Sequence, residues 1–338
     1  MRDALLEHLA CPACGAKLRL DAHDQEGPHV MSGVLTCTEC SARYAIASGV
    51  PRLNIGISAS GLDNVQRTFD WEWQEHHNGT FEHDTLFGRT ADEDWAMFLE
   101  GTCATPADLE NGVVLDAGCG SGAFTRLVAE RSEARAVIGV DMVEAVEAAF
   151  ESTRHLENVH IVQGNVFALP FACAAFDLIW CNGVIHHTPD ARGAHRSLCK
   201  HVKPGGILYV WVYAARFNPF RFTKDVMDAL RVTRLREPAL LRLVTALSYA
   251  SLGMLGVYRA ARLLPILRPR TRWGVRTVRP RTIDELKLTW FDALSPEYDS
   301  RHSEAEVIGW FREQRFTDLA AIDEPKVGVR GVALAPAE

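Results

Sequence analysis

Val113-Val-Leu-Asp-Ala-Gly-Cys-Gly-Ser-Gly122 reads as a buried strand that runs into a glycine-rich turn, and Ala123–Arg131 follows it as a helix. Gly118, Gly120 and Gly122 stand at every second position. Without side chains, such a turn lets a ligand lie directly against the backbone. The N-terminus of the helix adds unpaired N–H groups aimed at the same place. The stretch is therefore suited to a small, polar, nucleotide-containing molecule.

Outward from this turn, strand and helix patterns alternate. Strands are predicted at 113–117, 136–140, 160–163, 176–181, 207–213, 317–323 and 327–334, with helical stretches between most of them. That alternation predicts an α/β fold: a seven-stranded, mostly parallel sheet with helices on both faces. Ser303-Glu-Ala-Glu306 matches a capping box and opens a helix to Gln314. The expected division is a cysteine-bearing module over 1–57 and a helical segment over 58–110. The α/β core then takes 111–213 and 303–338, and an Arg-rich helical insertion takes 214–302.

Composition is that of an ordinary soluble chain, with 47% hydrophobic and 23% charged residues in 338. No apolar run reaches the roughly 18 residues of a membrane span. The N-terminus shows no apolar signal region, so the expected compartment is the cytoplasm. Charge is uneven. Residues 214–280 carry 14 Arg and Lys against three acids, while the whole chain has a net charge of −7. A basic stretch in an acidic chain points to an acidic partner.

Cys11-Pro-Ala-Cys14 and Cys37-Thr-Glu-Cys40 form two C-x-x-C pairs separated by 22 residues. Each pair can grip one side of a tetrahedral ion, and four thiolates favour a structural zinc ion. A redox role for one pair is the alternative. The other five cysteines are scattered, which speaks against a disulfide framework. Leu9-Ala-Cys-Pro-Ala-Cys-Gly15, Leu35-Thr-Cys-Thr-Glu-Cys40 and Gly49-Val-Pro-Arg-Leu53 resemble the zinc-ribbon activator subunit of tRNA, rRNA and protein methyltransferases. Here the ribbon is fused to the chain, and no obligate protein partner is evident. The resemblance implies a supporting or substrate-contacting role.

Leu115-Asp-Ala-Gly-Cys-Gly-Ser-Gly122 resembles the first motif of the S-adenosylmethionine (SAM)-dependent methyltransferases with a Rossmann-like fold. NAD enzymes share the fold but use GxGxxG. Further matches follow in order: Val140-Asp141, Gly164-Asn165-Val166, Phe176-Asp-Leu-Ile-Trp-Cys-Asn-Gly-Val-Ile-His-His-Thr-Pro189 and Val202-Lys-Pro-Gly-Gly206. The resemblance implies SAM as cofactor, held by Asp116, Gly118, Gly120, Gly122, Asp141, Met142, Asn165, Val166 and Asn182. Asp141 would accept both ribose hydroxyls. Asn165 stands where the family usually has an acid near the adenine amino group. Phe87-Gly-Arg-Thr90 is similar to a stretch near the cofactor's methionine end, so Arg89 is a candidate partner for its carboxylate. His186 and His187 lie on the loop that faces the transferred methyl, and a histidine there suits a general base.

The Asn/Asp-Pro-Pro-Tyr signature of many amino-methylating enzymes is absent, because Gly183-Val184 follows Asn182. The expected acceptor is therefore a small-molecule or lipid/sugar-linked compound, with O or S favoured over N. Residues 243–258 carry no charge. The insertion reads as a cap over the active site, with an anionic membrane surface as one partner reading and RNA as a weaker one. An RNA methyltransferase and a non-catalytic SAM-binding scaffold are the alternative functions.

Overall fold

The computed structural model describes residues 1–56, 62–77, 89–215, 226–227, 237–261, 282–323 and 326–335. They fall into two compact units: 1–70, 92–216 and 298–338 in the first, 71–91 and 217–297 in the second.

The first unit contains two sheets. Strands β1 (Leu18–Glu26), β2 (His29–Cys37), β3 (Arg43–Ala47) and β4 (Val50–Pro51) form an antiparallel ribbon in sequence order. The second sheet has seven strands: β5 (Val113–Ala117), β6 (Ala136–Asp141), β7 (Val159–Gln163), β8 (Phe176–Asn182), β9 (Val202–Tyr213), β10 (Phe316–Asp323) and β11 (Lys326–Ala333). Their order is β10-β11-β9-β8-β5-β6-β7, with β5 to β9 parallel and β11 antiparallel to both of its neighbours. This is the α/β, Rossmann-like arrangement expected from the sequence. β5 is buried at all five positions, as a central strand covered on both faces must be.

The described helices are, in chain order, α1 (Asp63–His77), α2 (Ala91–Thr102), α3 (Ala123–Arg131), α4 (Val146–Thr153), α5 (Ala191–Cys199), α6 (Glu237–Ala261), α7 (Ile283–Leu294) and α8 (Glu304–Glu313), of which α6 and α7 fall within 214–302. Ser303 caps α8 as predicted, its hydroxyl accepting from the Glu306 N–H at 3.2 Å. Aromatic rings fill one face of the sheet. Trp180 stacks on Tyr209 at 4.2 Å, and Phe98 of α2 meets Trp180 edge-on at 5.2 Å.

The ribbon and the large sheet share one hydrophobic core. Leu5, Leu9, Val30, Leu35 and Leu53 belong to the same buried cluster as Val113, Leu115 and Ile138. Backbone bonds join them too. Leu53 N–H donates to the Gln163 carbonyl at 2.8 Å, and Arg52 bridges Gln163 in parallel alongside β7. Ala10 N–H donates to the Pro170 carbonyl at 2.9 Å.

The second unit has its own core. Leu240 and Val244 of α6 pack with Leu288, Trp290, Phe291 and Leu294 of α7. Trp71 adds a ring 4.7 Å from Phe291. Of the uncharged stretch 243–258, the side chains of 254–258 lie outside the described residues.

Candidate functional site

Strand order reverses at β5. From it the chain runs one way through β6 and β7 and the other way through β8 and β9. Ligands in open α/β sheets bind beyond the carboxyl ends of the strands at such a point. The glycine turn follows β5 there, and the double histidine follows β8.

The turn is fixed from within. Gly118 N–H and Cys119 N–H both donate to the Val140 carbonyl, at 2.7 and 3.1 Å. Gly118 has φ +90°, and a Cβ on it would lie 2.2 Å from Val184 Cγ2. Only glycine meets both demands. Gly122, at φ +76°, is the N-cap of α3 and has no side-chain capping bond. The first N–H groups of α3 therefore have no side-chain acceptor at that cap. Asp116 sits behind the turn. It is buried, accepts the Thr125 hydroxyl at 2.6 Å, and is pushed up to about 7 by burial.

Asp141 closes β6 at the lip of the site. One carboxylate oxygen accepts from Gly120 N–H at 2.8 Å and the other from Val143 N–H at 3.3 Å. The residue is half-buried, and burial raises its pKa.

The next carbonyl is held unusually firmly. Met142 O accepts from three side-chain amides: Asn54 Nδ2 at 3.2 Å, Gln66 Nε2 at 3.0 Å and Gln163 Nε2 at 3.1 Å. Asp70 accepts from the Glu144 N–H on the same loop, and its carboxyl is pushed up to about 6, chiefly by burial. None of these four residues is marked by a motif, and nothing in the sequence signals their convergence. Asn165 is also engaged locally. Its Nδ2 donates to the Ile55 carbonyl at 3.1 Å and its Oδ1 accepts from Phe167 N–H at 3.0 Å. Val166 beside it is half-buried.

Past β8, Asn182 is half-buried and pairs in register with Trp211. His186 and His187 are both buried. The His186 ring lies 4.0 Å from the ring of Tyr213 and 4.1 Å from that of His187. The His186 carbonyl accepts from both the N–H and the hydroxyl of Ser300. His187 Nδ1 pairs with the Tyr298 carbonyl at 3.0 Å, and Phe69 lies edge-on to its ring at 5.4 Å. If Nδ1 carries the proton that this carbonyl accepts, Nε2 is left as the basic nitrogen.

Arg89 is half-buried and belongs to the second unit; Phe87 and Gly88 lie outside the described residues. Asp292 also belongs to the second unit, as does Glu72. Glu72 is 2% exposed, one of its oxygens lacks a hydrogen-bond partner, and burial followed by the Asp292 charge raises its carboxyl well above the usual range.

The four ribbon cysteines converge. Their sulfurs all lie within 4.8 Å of one another. Cys11 to Cys40 is 3.7 Å, and Cys14 is 3.5 Å from both Cys37 and Cys40. A tetrahedral zinc with Zn–S of about 2.3 Å would space its sulfurs by about 3.8 Å. Backbone N–H groups of Cys40 and Glu39 donate to Cys37 Sγ at 3.5 Å, and that thiol is lowered to about 6, the Cys40 N–H contributing most. The four thiols fit a zinc ion, which they would hold as a structural site with no ligand position left open.

Two protein families match parts of the chain. The family described as "Methyltransferase domain" matches residues 115–210, and the family described as "Trm112p-like protein" matches residues 2–49. The chain thus resembles the one family over its N-terminal ribbon and the other over strands β5 to β9. The methyltransferase domain is 33% identical over 106 residues to malonyl-[acyl-carrier protein] O-methyltransferase of Enterobacter lignolyticus, covering 31% of this chain and 41% of that protein. It is 34% identical over 101 residues to trans-aconitate 2-methyltransferase of Deinococcus radiodurans, covering 30% and 38%. The chain thus spans about two fifths of the length of these curated relatives. Among solved structures, the Haloferax volcanii complex of the Trm112 methyltransferase activator with a methyltransferase aligns with a TM-score of 0.47 and 16% identity. It covers 79% of this chain and 98% of that one.

The chemistry of the site fits a nucleoside-bearing molecule such as SAM. A half-buried carboxylate at the end of β6 can accept from ribose hydroxyls. The glycine turn brings bare backbone beside it, and the start of α3 offers N–H donors.

Proposed function

We propose that the protein transfers a methyl group from SAM to a small-molecule or lipid/sugar-linked acceptor, at oxygen or sulfur rather than nitrogen. The observation that carries this reading is the position of the Asp141 carboxylate, tied to Gly120 N–H at 2.8 Å beside the glycine turn. SAM supplies an electrophilic methyl; the residues of this chain bind, orient and exclude water. Gly118, Gly120 and Gly122 give the backbone approach. Asp141 and Met142 hold the ribose side, and Asn165 and Val166 the adenine side. Asp116 keeps α3 in place behind the turn. Asn182 at the end of β8 completes the donor site, and Arg89 is assigned to the methionine carboxylate.

His187 is the preferred general base and His186 the residue that packs it, since the pairing of His187 Nδ1 with Tyr298 directs the opposite nitrogen. Residues 1–57 would be the zinc ribbon, 58–110 the segment over the donor, 111–213 with 303–338 the core, and 214–302 the acceptor cap. Oxygen transfer is supported by one relative's name, which specifies it. A cytoplasmic, membrane-peripheral location suits a lipid-linked acceptor.

Isothermal calorimetry tests the donor site. SAM binding to the wild type, weakened at least about tenfold in Asp141→Ala by loss of a charged acceptor, is the expected result. Absence of SAM binding to the pure, folded, zinc-loaded protein would refute the reading. Labelled-methyl transfer into fractionated extract then names the acceptor. Label in RNA alone would favour the RNA alternative, and donor binding without any transfer would favour a scaffold.

A further inference from the structure

Helix α6 turns one face inward. Leu240, Val244 and Ser248 are buried, and the first two belong to the core of the second unit. The opposite face carries Arg242, Ala246, Tyr249, Ala250, Leu252 and Gly253, all exposed. At about 100° per residue these positions fall within an arc of about 160°. A solvated helix face normally carries charges of both signs. This one carries a single charge, and it is positive.

Two of its side chains are large and apolar. Tyr249 is 62% exposed and Leu252 39%. Among the described residues the exposed large hydrophobics are Val226, Tyr249, Leu252 and Leu334, so three of the four lie in the second unit. Exposed apolar groups gathered on one element mark an interaction surface more often than scattered ones do. The sequence that continues from this face adds charge of one sign: residues 254–281 hold eight arginines and no acid.

We infer that this face of α6 docks the protein on an anionic lipid bilayer. The chemistry favours lipid over nucleic acid. Phosphate binding along a nucleic-acid backbone needs a row of cations on the contact face, and here Arg242 is alone among Ala246, Tyr249, Ala250, Leu252 and Gly253. A face with one positive and no negative charge, followed in the sequence by eight arginines, suits the interface of an anionic leaflet, where aliphatic groups enter the acyl boundary and cations meet the headgroups. A tyrosine is at home at that depth. The helix would lie on the surface, because no helix among the described residues is long and apolar enough to cross a membrane. The inference rests on the proposed function only for its purpose, a lipid-linked acceptor; its observations do not depend on methyl transfer.

The test is co-sedimentation of the full-length, zinc-loaded protein with phosphatidylcholine vesicles, with and without phosphatidylglycerol. Binding is expected only to the anionic vesicles and falls with added salt. Tyr249→Glu with Leu252→Glu lowers it by about tenfold, while SAM affinity by calorimetry is unchanged. A second measurement uses the wild type alone, so that misfolding of the variant decides nothing. Hydrogen exchange across residues 242–253 slows on anionic vesicles. The inference is overturned if the wild type fails to sediment, if the double variant binds as well as the wild type, or if those amides are protected by RNA or by raised protein concentration instead of by lipid. Loss of SAM binding with vesicle binding intact would refute the donor site and leave this inference standing.

Discussion

Asn54 Nδ2 donates to the Met142 carbonyl at 3.2 Å, and so links the chain leaving the ribbon to the loop just after Asp141. Two further amides, Gln66 and Gln163, converge on the same oxygen. A carbonyl with three donors is held in one place, and the carboxylate before it shares that fixity. The ribbon is thereby tied to the geometry of the proposed donor site.

Removing that tie is expected to weaken donor binding without unfolding the chain. A single neutral hydrogen bond contributes about 1 kcal/mol. Asn54→Ala should therefore raise the SAM dissociation constant about fivefold in calorimetry, with Tm nearly unchanged. Equal affinity in variant and wild type would show that the other two amides suffice.

Zinc removal should act in two places. A small ribbon relies on its metal for folding, and Leu53 and Asn54 leave the ribbon for the large sheet and the Met142 loop. Cys37→Ser is expected to abolish the one zinc per chain, lower Tm by at least about 5 °C and weaken SAM binding. Metal analysis, calorimetric melting and titration read the three effects. A variant that loses zinc yet keeps donor affinity would separate the ribbon from the site.

Acid should loosen the join between ribbon and sheet. His160 is lowered to about 4, mainly by burial and then by His8, Arg2, the N-terminal amine and His29. His160 is neutral in the fold, whereas in the unfolded chain it takes up a proton below about pH 6.5. Its contribution is present above pH 6.5 and is lost as pH falls toward 4. The full effect is about 3 kcal/mol. His160→Gln should flatten the fall in denaturant-measured stability across that window.

Glu72 makes the opposite case in the second unit. Its raised carboxyl is favoured when neutral, so the wild type loses stability as pH rises above the ordinary carboxylate range. Glu72→Gln is expected to raise Tm at pH 7.5, and the gain should vanish near pH 4. A lower Tm at pH 7.5 would mean that the ionised carboxylate is needed.

Much of this was legible in the sequence because it is written in backbone requirements. Gly118 and Gly122 need positive φ, β5 needs apolar residues on both faces, and four thiolates need two pairs. Those constraints act locally and leave local marks. The convergence of Asn54, Gln66 and Gln163 leaves none. Each is an ordinary amide, and only the packing of the chain after β4, helix α1 and strand β7 around one loop brings them together. The enclosure of His186 by Tyr213 and His187 is equally non-local. The sequence placed both histidines on one loop but held nothing to tell the packed ring from the one paired with Tyr298.

Arg52 and Leu53, running beside β7, have a consequence for solubility. An outermost strand presents unpaired N–H and C=O groups that invite a foreign strand to add on. Here the last residue of that edge, Gln163, is already paired with the protein's own N-terminal module. A chain cut after residue 54 would bare both that backbone and the apolar surface under Leu5, Leu9 and Leu35. Fusion of ribbon and sheet in one polypeptide thus guards against self-association from the moment both have been synthesised.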